Sequence, residues 1–419
     1  MTAPQDNGNL CLRPQRDIRI DLVRGLALFI IFLDHNGFLN PNFYWLNSLT
    51  LKRYSFIDAA DVFFFISGYV SGMVYTRVLV TKGFVACIRK ALKRSVELYL
   101  AGAIMFFFCS ALILTAPSYD TNAPWTTFHR LSDLPSEAMR GTLTLSDPPS
   151  LFGLLPIYMV FVGLTPFAVR LCSYRPAILV SLSAGLYVTA QLLPHPFIYS
   201  DLNPLAWQVL FAAGVLLGFR RIHNLGDGQY LRPRALLIAT TGLLFIAFLR
   251  LSPSPTLATL IHTRFLSQIV PDVMPLSGKQ NVELLRIVNL SLWVLVVKSI
   301  DPARRFLRHW ILRIPVTCGR QSLVVFCSSV FLNFVVRIYL RNVDGKGSQL
   351  AWNLFGCLVL FAIALVWSFM KSWFNNISYL SNWRAKSRRS LAFGFQYLAM
   401  LFYAVWQQVQ QFLNNGMDA

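Results

Sequence analysis

Ile20-Asp21-Leu-Val-Arg24-Gly25-Leu-Ala-Leu28-Phe-Ile-Ile31-Phe-Leu-Asp34-His35-Asn-Gly-Phe-Leu-Asn40 is long and apolar enough to cross a bilayer, yet it carries three charged residues and a histidine. A spanning helix needs about 20 mostly apolar residues, and runs of that kind recur along the chain. We expect spans at 20–40, 57–80, 92–116, 151–171, 176–194, 204–220, 234–250, 283–300, 315–337 and 350–370. The fold class is therefore an all-α integral membrane protein, a bundle of about ten transmembrane helices. Composition agrees: 55% of the 419 residues are hydrophobic and 13% charged, with a mean hydropathy of +0.52. Soluble domains carry about a quarter charged residues.

The net charge of +20 does not mark a nucleic-acid partner, because the basic residues alternate between loops. With the N-terminus inside, inner segments hold about 25 Lys and Arg and outer ones about 11. That asymmetry sets orientation and makes both termini cytoplasmic. The expected division is a cytoplasmic segment at 1–19, a transmembrane domain at 20–370 and a cytoplasmic or interfacial tail at 371–419. The stretch 391–410 either lies in the interface or forms an eleventh span. The loops 117–150 and 251–282 face outward. The N-terminus has no signal-peptide pattern, so the first span is read as retained. Seven scattered cysteines lack CxxC or Cys/His spacing, which points to free thiols and no metal.

Charged groups inside spans are costly and mark function by default. In the first span Asp21, Arg24, Leu28, Ile31 and His35 fall three or four residues apart, on one stripe. Arg24 and His35 stand about 16 Å apart along the axis, the first toward the cytoplasm and the second toward the outside. An Asp21–Arg24 interfacial pair and a His35 bonded to a neighbouring helix are the plain alternatives. The second span opens Asp58-Ala-Ala-Asp61 and continues through Ser67, Gly68, Tyr69 and Gly72. It runs antiparallel to the first, so Asp61 reaches the depth of Asp34 and His35. A carboxylate there can orient an imidazole that acts as general base on a hydroxyl. Asp58 reads equally well as an N-cap, and Gly68 and Gly72 as helix packing. Arg320 sits at the depth of Arg24, so two guanidiniums can flank one phosphate or carboxylate, unless Arg320 only snorkels. Asn203-Pro-Leu-Ala-Trp207-Gln208 opens the sixth span; Trp207 is an interfacial anchor or a platform for a sugar ring.

These residues carry a resemblance. Arg16-Asp17-Ile-Arg19-Ile-Asp21-Leu-Val-Arg24-Gly25, the Asp34-His35 pair, Asp58-Ala-Ala-Asp61 through Ser67-Gly68-Tyr69, Leu155-Pro-Ile-Tyr158, Asn203 to Gln208 and Gly319-Arg320-Gln321-Ser322 resemble the OpgC family, in order from about 16 to 335. More distantly the Arg-to-His spacing resembles membrane acyltransferase family 3. The resemblance implies a bacterial inner-membrane, multi-pass enzyme that moves succinyl groups from succinyl-CoA to osmoregulated periplasmic glucans. It further implies that His35 is essential and that Arg24 serves the donor. Gln321 departs from the family pattern, where a histidine is expected. On this reading His35, Asp34 and Asp61 are catalytic, Arg24 and Arg320 bind the donor, and Ser67, Tyr69, Trp207 and Gln208 serve acceptor or oxyanion. Acyl-CoA is then a co-substrate, no cofactor stays bound, and the partners are a glucan, the acyl-CoA and membrane lipids. The rivals are a proton-coupled transporter or exporter of a sugar or acyl compound, and a scaffold for glucan synthesis.

Overall fold

A computed structural model describes residues 17–39, 45, 48–115, 135–144, 153–192, 202–223, 233–251, 279–300, 309–339 and 345–386. The 391–410 stretch, most of the 117–150 and 251–282 loops and both chain ends lie outside the described residues. Within them the chain is helical, with no strand. The helices are α1 (Ile18–Leu39), α2 (Leu51–Tyr54), α3 (Ala59–Thr115), α4 (Pro135–Leu143), α5 (Leu154–Tyr174), α6 (Pro176–Leu192), α7 (Pro204–Ile222), α8 (Pro233–Leu251), α9 (Leu284–Ser299), α10 (Trp310–Arg320), α11 (Ser322–Tyr339) and α12 (Lys346–Lys386).

Six stretches among the described residues are long and apolar enough to cross a membrane: Ala59–Ile113, Leu154–Tyr174, Pro204–Ile222, Arg234–Leu251, Ser322–Tyr339 and Lys346–Trp373. The first of these joins two expected spans. Only Gly83 leaves helical geometry there, at φ 81 and ψ 176, a region open essentially to glycine. α1, 22 residues long, carries Asp21, Arg24 and Asp34 within an otherwise apolar run. The expected 315–337 span is two helices instead, broken at Gln321 with φ −108 and ψ 35. α12 continues to Lys386, past the expected domain edge at 370.

Close crossings use glycine where backbone must meet backbone. Gly68 and Gly72 of α3 lie against the Phe211 and Val215 backbone of α7, and Gly214 and Gly218 return the contact onto Phe65, Tyr69 and Met73. The pairs advance together, so the first half of α3 runs parallel to α7 in small-xxx-small packing. A Cβ on Gly25 would overlap the Pro315 carbonyl, and one on Gly319 that of Asp21, which presses α1 onto α10. α1 and α12 run in opposite directions: Asn36 donates to Asn353 at 2.6 Å, while Gly356 sits on the Phe32 ring. Arg19 donates to the Ile300 carbonyl at 2.7 Å, tying the start of α1 to the end of α9. A core of Phe32, Phe64, Trp207 and Leu98 fills the space between.

Candidate functional site

Two polar centres lie at the two ends of the α1 stripe. At the first, Arg24 Nη2 donates to the Ser322 hydroxyl at 2.7 Å, and its guanidinium stands 5.9 Å from the Phe63 ring centroid. A pocket opens there, lined by Arg24, Arg94, Phe63, Tyr158, Ser322 and Phe326 among others. Arg94 adds the second guanidinium, and its own partner is Glu97 at 3.0 Å on the exposed side. Two guanidiniums over an aromatic floor suit a phosphate or carboxylate bearing an apolar tail. Arg320 is turned elsewhere. It is half-exposed and pairs with Asp21 at 3.5 Å. The sequence placed Arg320 with Arg24 and overlooked Arg94, which reaches this pocket only because the chain reverses at Gly83.

At the other end, His35 is half-buried on α1, and its Nδ1 has no hydrogen-bond partner among the described residues. Lys52, Lys279 and Asp58 are the charges that act on it. Asp34 next to it pairs with Lys52 at 3.4 Å. Asp61, expected at His35, makes its bonds elsewhere. It accepts from the Asp58 backbone N–H at 2.8 Å, while Asp58 Oδ1 accepts from the Ala60 N–H at 2.9 Å. These reciprocal bonds form a capping box at the start of α3. Asp61 also holds Arg286 in a close buried ion pair. The N-cap reading of Asp58 is thus realised. Such a buried charge needs its partners, and Asp58 has Lys279 at 2.8 Å and Arg286 at 3.6 Å. Burial alone would lower the Lys279 ammonium, but the neighbouring Asp58 raises it, which keeps it charged at neutral pH.

Lys279 is presented by a turn that several side chains pin. Trp207 Nε1 donates to the Lys279 carbonyl at 3.2 Å, Tyr187 to the Val282 carbonyl at 3.0 Å, and Gln191 to the Asn281 carbonyl at 2.8 Å. Asn203 caps α7 through Leu205 N at 3.1 Å and donates to Asn281 at 2.9 Å. Val282 is held at φ 49, a conformation that a β-branched side chain adopts only when its surroundings enforce it. Trp207 is wholly buried and meets Phe64 edge-on at 5.1 Å, so it braces this turn and offers no face to a sugar. Gln208 is occupied in the α6–α7 interface, accepting from Ser183 Oγ at 2.8 Å and donating to its carbonyl at 2.8 Å. Ser67 is buried, its hydroxyl without a partner among the described residues, but it lies about 9 Å deeper along α3 than Asp61. The Tyr69 hydroxyl acts on Arg19 at the opposite end of α1. Neither stands beside His35.

One helix stripe therefore carries Arg24 at a pocket and, eleven residues on, His35 with its Nδ1 unpartnered among the described residues. A family model described as OpgC protein matches residues 16–373, which contain both centres. The chain belongs to the OpgC family. Membership implies a role in modifying osmoregulated periplasmic glucans, of an acyltransferase type. No curated protein and no solved structure matches the chain. For an OpgC protein the arrangement is chemically apt: one end of the stripe suits an anionic donor and the other a proton acceptor.

Proposed function

We propose that this OpgC protein is an inner-membrane succinyltransferase with about ten spans and cytoplasmic termini, moving succinyl from succinyl-CoA to hydroxyls of a periplasmic glucan. The observation that carries the reading is the unpartnered His35 Nδ1 on the same face of α1 as Arg24, whose guanidinium lines the pocket. The donor phosphates lie against Arg24 and Arg94, and the thioester reaches toward His35. Neutral His35 takes the proton of a sugar hydroxyl as its oxygen attacks the thioester carbonyl carbon. The tetrahedral intermediate collapses, the carbon–sulfur bond breaks, and the departing CoA thiolate recovers the proton from His35. The Lys279–Asp58 pair and Lys52 surround the imidazole with fixed charge, and the ammonium groups stabilise the developing oxyanion.

Mass spectrometry of periplasmic glucans from cells with and without the protein tests this. The reading expects added succinyl mass only where the wild-type chain is present, and its loss with His35→Ala. Glucans unchanged by the protein would contradict it. A transporter would leave thioester intact and release no free CoA.

A further inference from the structure

The Arg24–Ser322 hydrogen bond fixes the register of α11 against α1. From that point both helices carry their side chains at matching intervals: Arg24, Leu28, Ile31 and His35 on one, Ser322, Phe326, Ser329 and Asn333 on the other. Steps of four, three and four return to a single helix face, and eleven residues rise about 16 Å. α11 runs the same way as α1, because it begins beside Arg24 and leads to α12, whose Asn353 meets Asn36 at the far end of α1. The stacked rings of Phe63 and Phe326, 6.4 Å apart, set the height of α3 against α11. Asn333 then lies outward of Phe326 much as Asp58 lies outward of Phe63. Asn333 thus stands at the level of His35 and Asp58, on the face of α11 that carries Ser322.

Its environment is costly for a carboxamide, as is that of Asn289 on α9. Asn333 is 0% exposed, and among the described residues neither its Nδ2 nor its Oδ1 has a hydrogen-bond partner. A buried amide left unpaired weakens a fold, whereas leucine of similar size would not. A partner that satisfies both atoms supplies a donor and an acceptor, as neighbouring hydroxyls of a sugar do. A thioester carbonyl would satisfy only the N–H.

We propose that Asn333 positions the acceptor sugar at the His35 site, its Oδ1 accepting from one hydroxyl and its Nδ2 donating to an adjacent oxygen. The inference rests on the acyl-transfer reading above. Its test is steady-state kinetics and thermal melting of the purified full chain, with succinyl-CoA as donor and unmodified periplasmic glucan as acceptor. N333L is expected to raise the glucan KM about ten-fold or more, to leave the succinyl-CoA KM unchanged, and to keep or raise the melting temperature. N333S, which retains a hydroxyl, is expected to fall between. A wild-type glucan KM in N333L overturns the inference, as does an unchanged glucan KM in N333S should N333L fold poorly. Failure of the acyl-transfer reading shows separately, as no succinyl transfer to glucan by the wild-type chain, and it removes this inference as well.

Discussion

His35 and Asn36 are neighbours with opposite circumstances: the asparagine is spent on Asn353, while the imidazole keeps a nitrogen unpaired. The same contrast separates the arginines. Arg24 and Arg94 line a pocket, whereas Arg320 lies half-exposed on Asp21. Charge-assisted bonds contribute about 1.5–3 kcal/mol, so Arg94→Ala should raise the donor KM about ten-fold to a hundred-fold. Arg320→Ala should change it by less than about five-fold, since exposed pairs contribute about 0–1 kcal/mol. Donor titrations of the two variants check this, and equal effects would contradict it. Trp207→Ala should destabilise by about 3–5 kcal/mol, seen as a lowered melting temperature. Unaltered stability with a raised glucan KM would restore the sugar-platform reading. The stripe from Arg24 to His35 was legible because helical periodicity is local. Asp61 misled because its partner, Arg286, is remote in sequence, although the Asp-x-x-Asp spacing already carried the capping alternative.

At the scale of the element, the break at Gly83 decides what reaches the pocket. The expected spans at 57–80 and 92–116 correspond to the two halves of α3, but in the sequence Arg94 counts only among the basic residues of an inner segment. A single φ of 81 turns the chain, and a lone glycine in a basic segment does not announce that geometry. A Cβ at Gly83 would meet nothing, so Gly83→Ala isolates backbone strain and should destabilise by about 1–3 kcal/mol. Gly185→Ala, in equally open space within α6 at an ordinary φ, should be neutral or slightly stabilising. Gly68→Leu should be far worse than either, because its side chain would drive into the Phe211 carbonyl. Comparative melting of the three purified variants orders them. Gly83→Ala melting with Gly185→Ala would dismiss the strained reversal.

Across the whole molecule, two centres about 16 Å apart on one helix suit chemistry whose reactants arrive from opposite sides. Membrane character was plain from composition, since apolar runs need no partner to declare themselves. Which helices cross was less plain, because α1 buries its charges among neighbours and α10 and α11 divide one expected span. Transfer by the purified protein in vesicles loaded with succinyl-CoA, with glucan supplied only outside, is the most direct test. Free CoA should accumulate within while succinyl esters form on the external glucan, and His35→Ala should lower both by about a hundred-fold or more. Undiminished transfer by His35→Ala, or transfer only when both reactants share one side, would contradict the account.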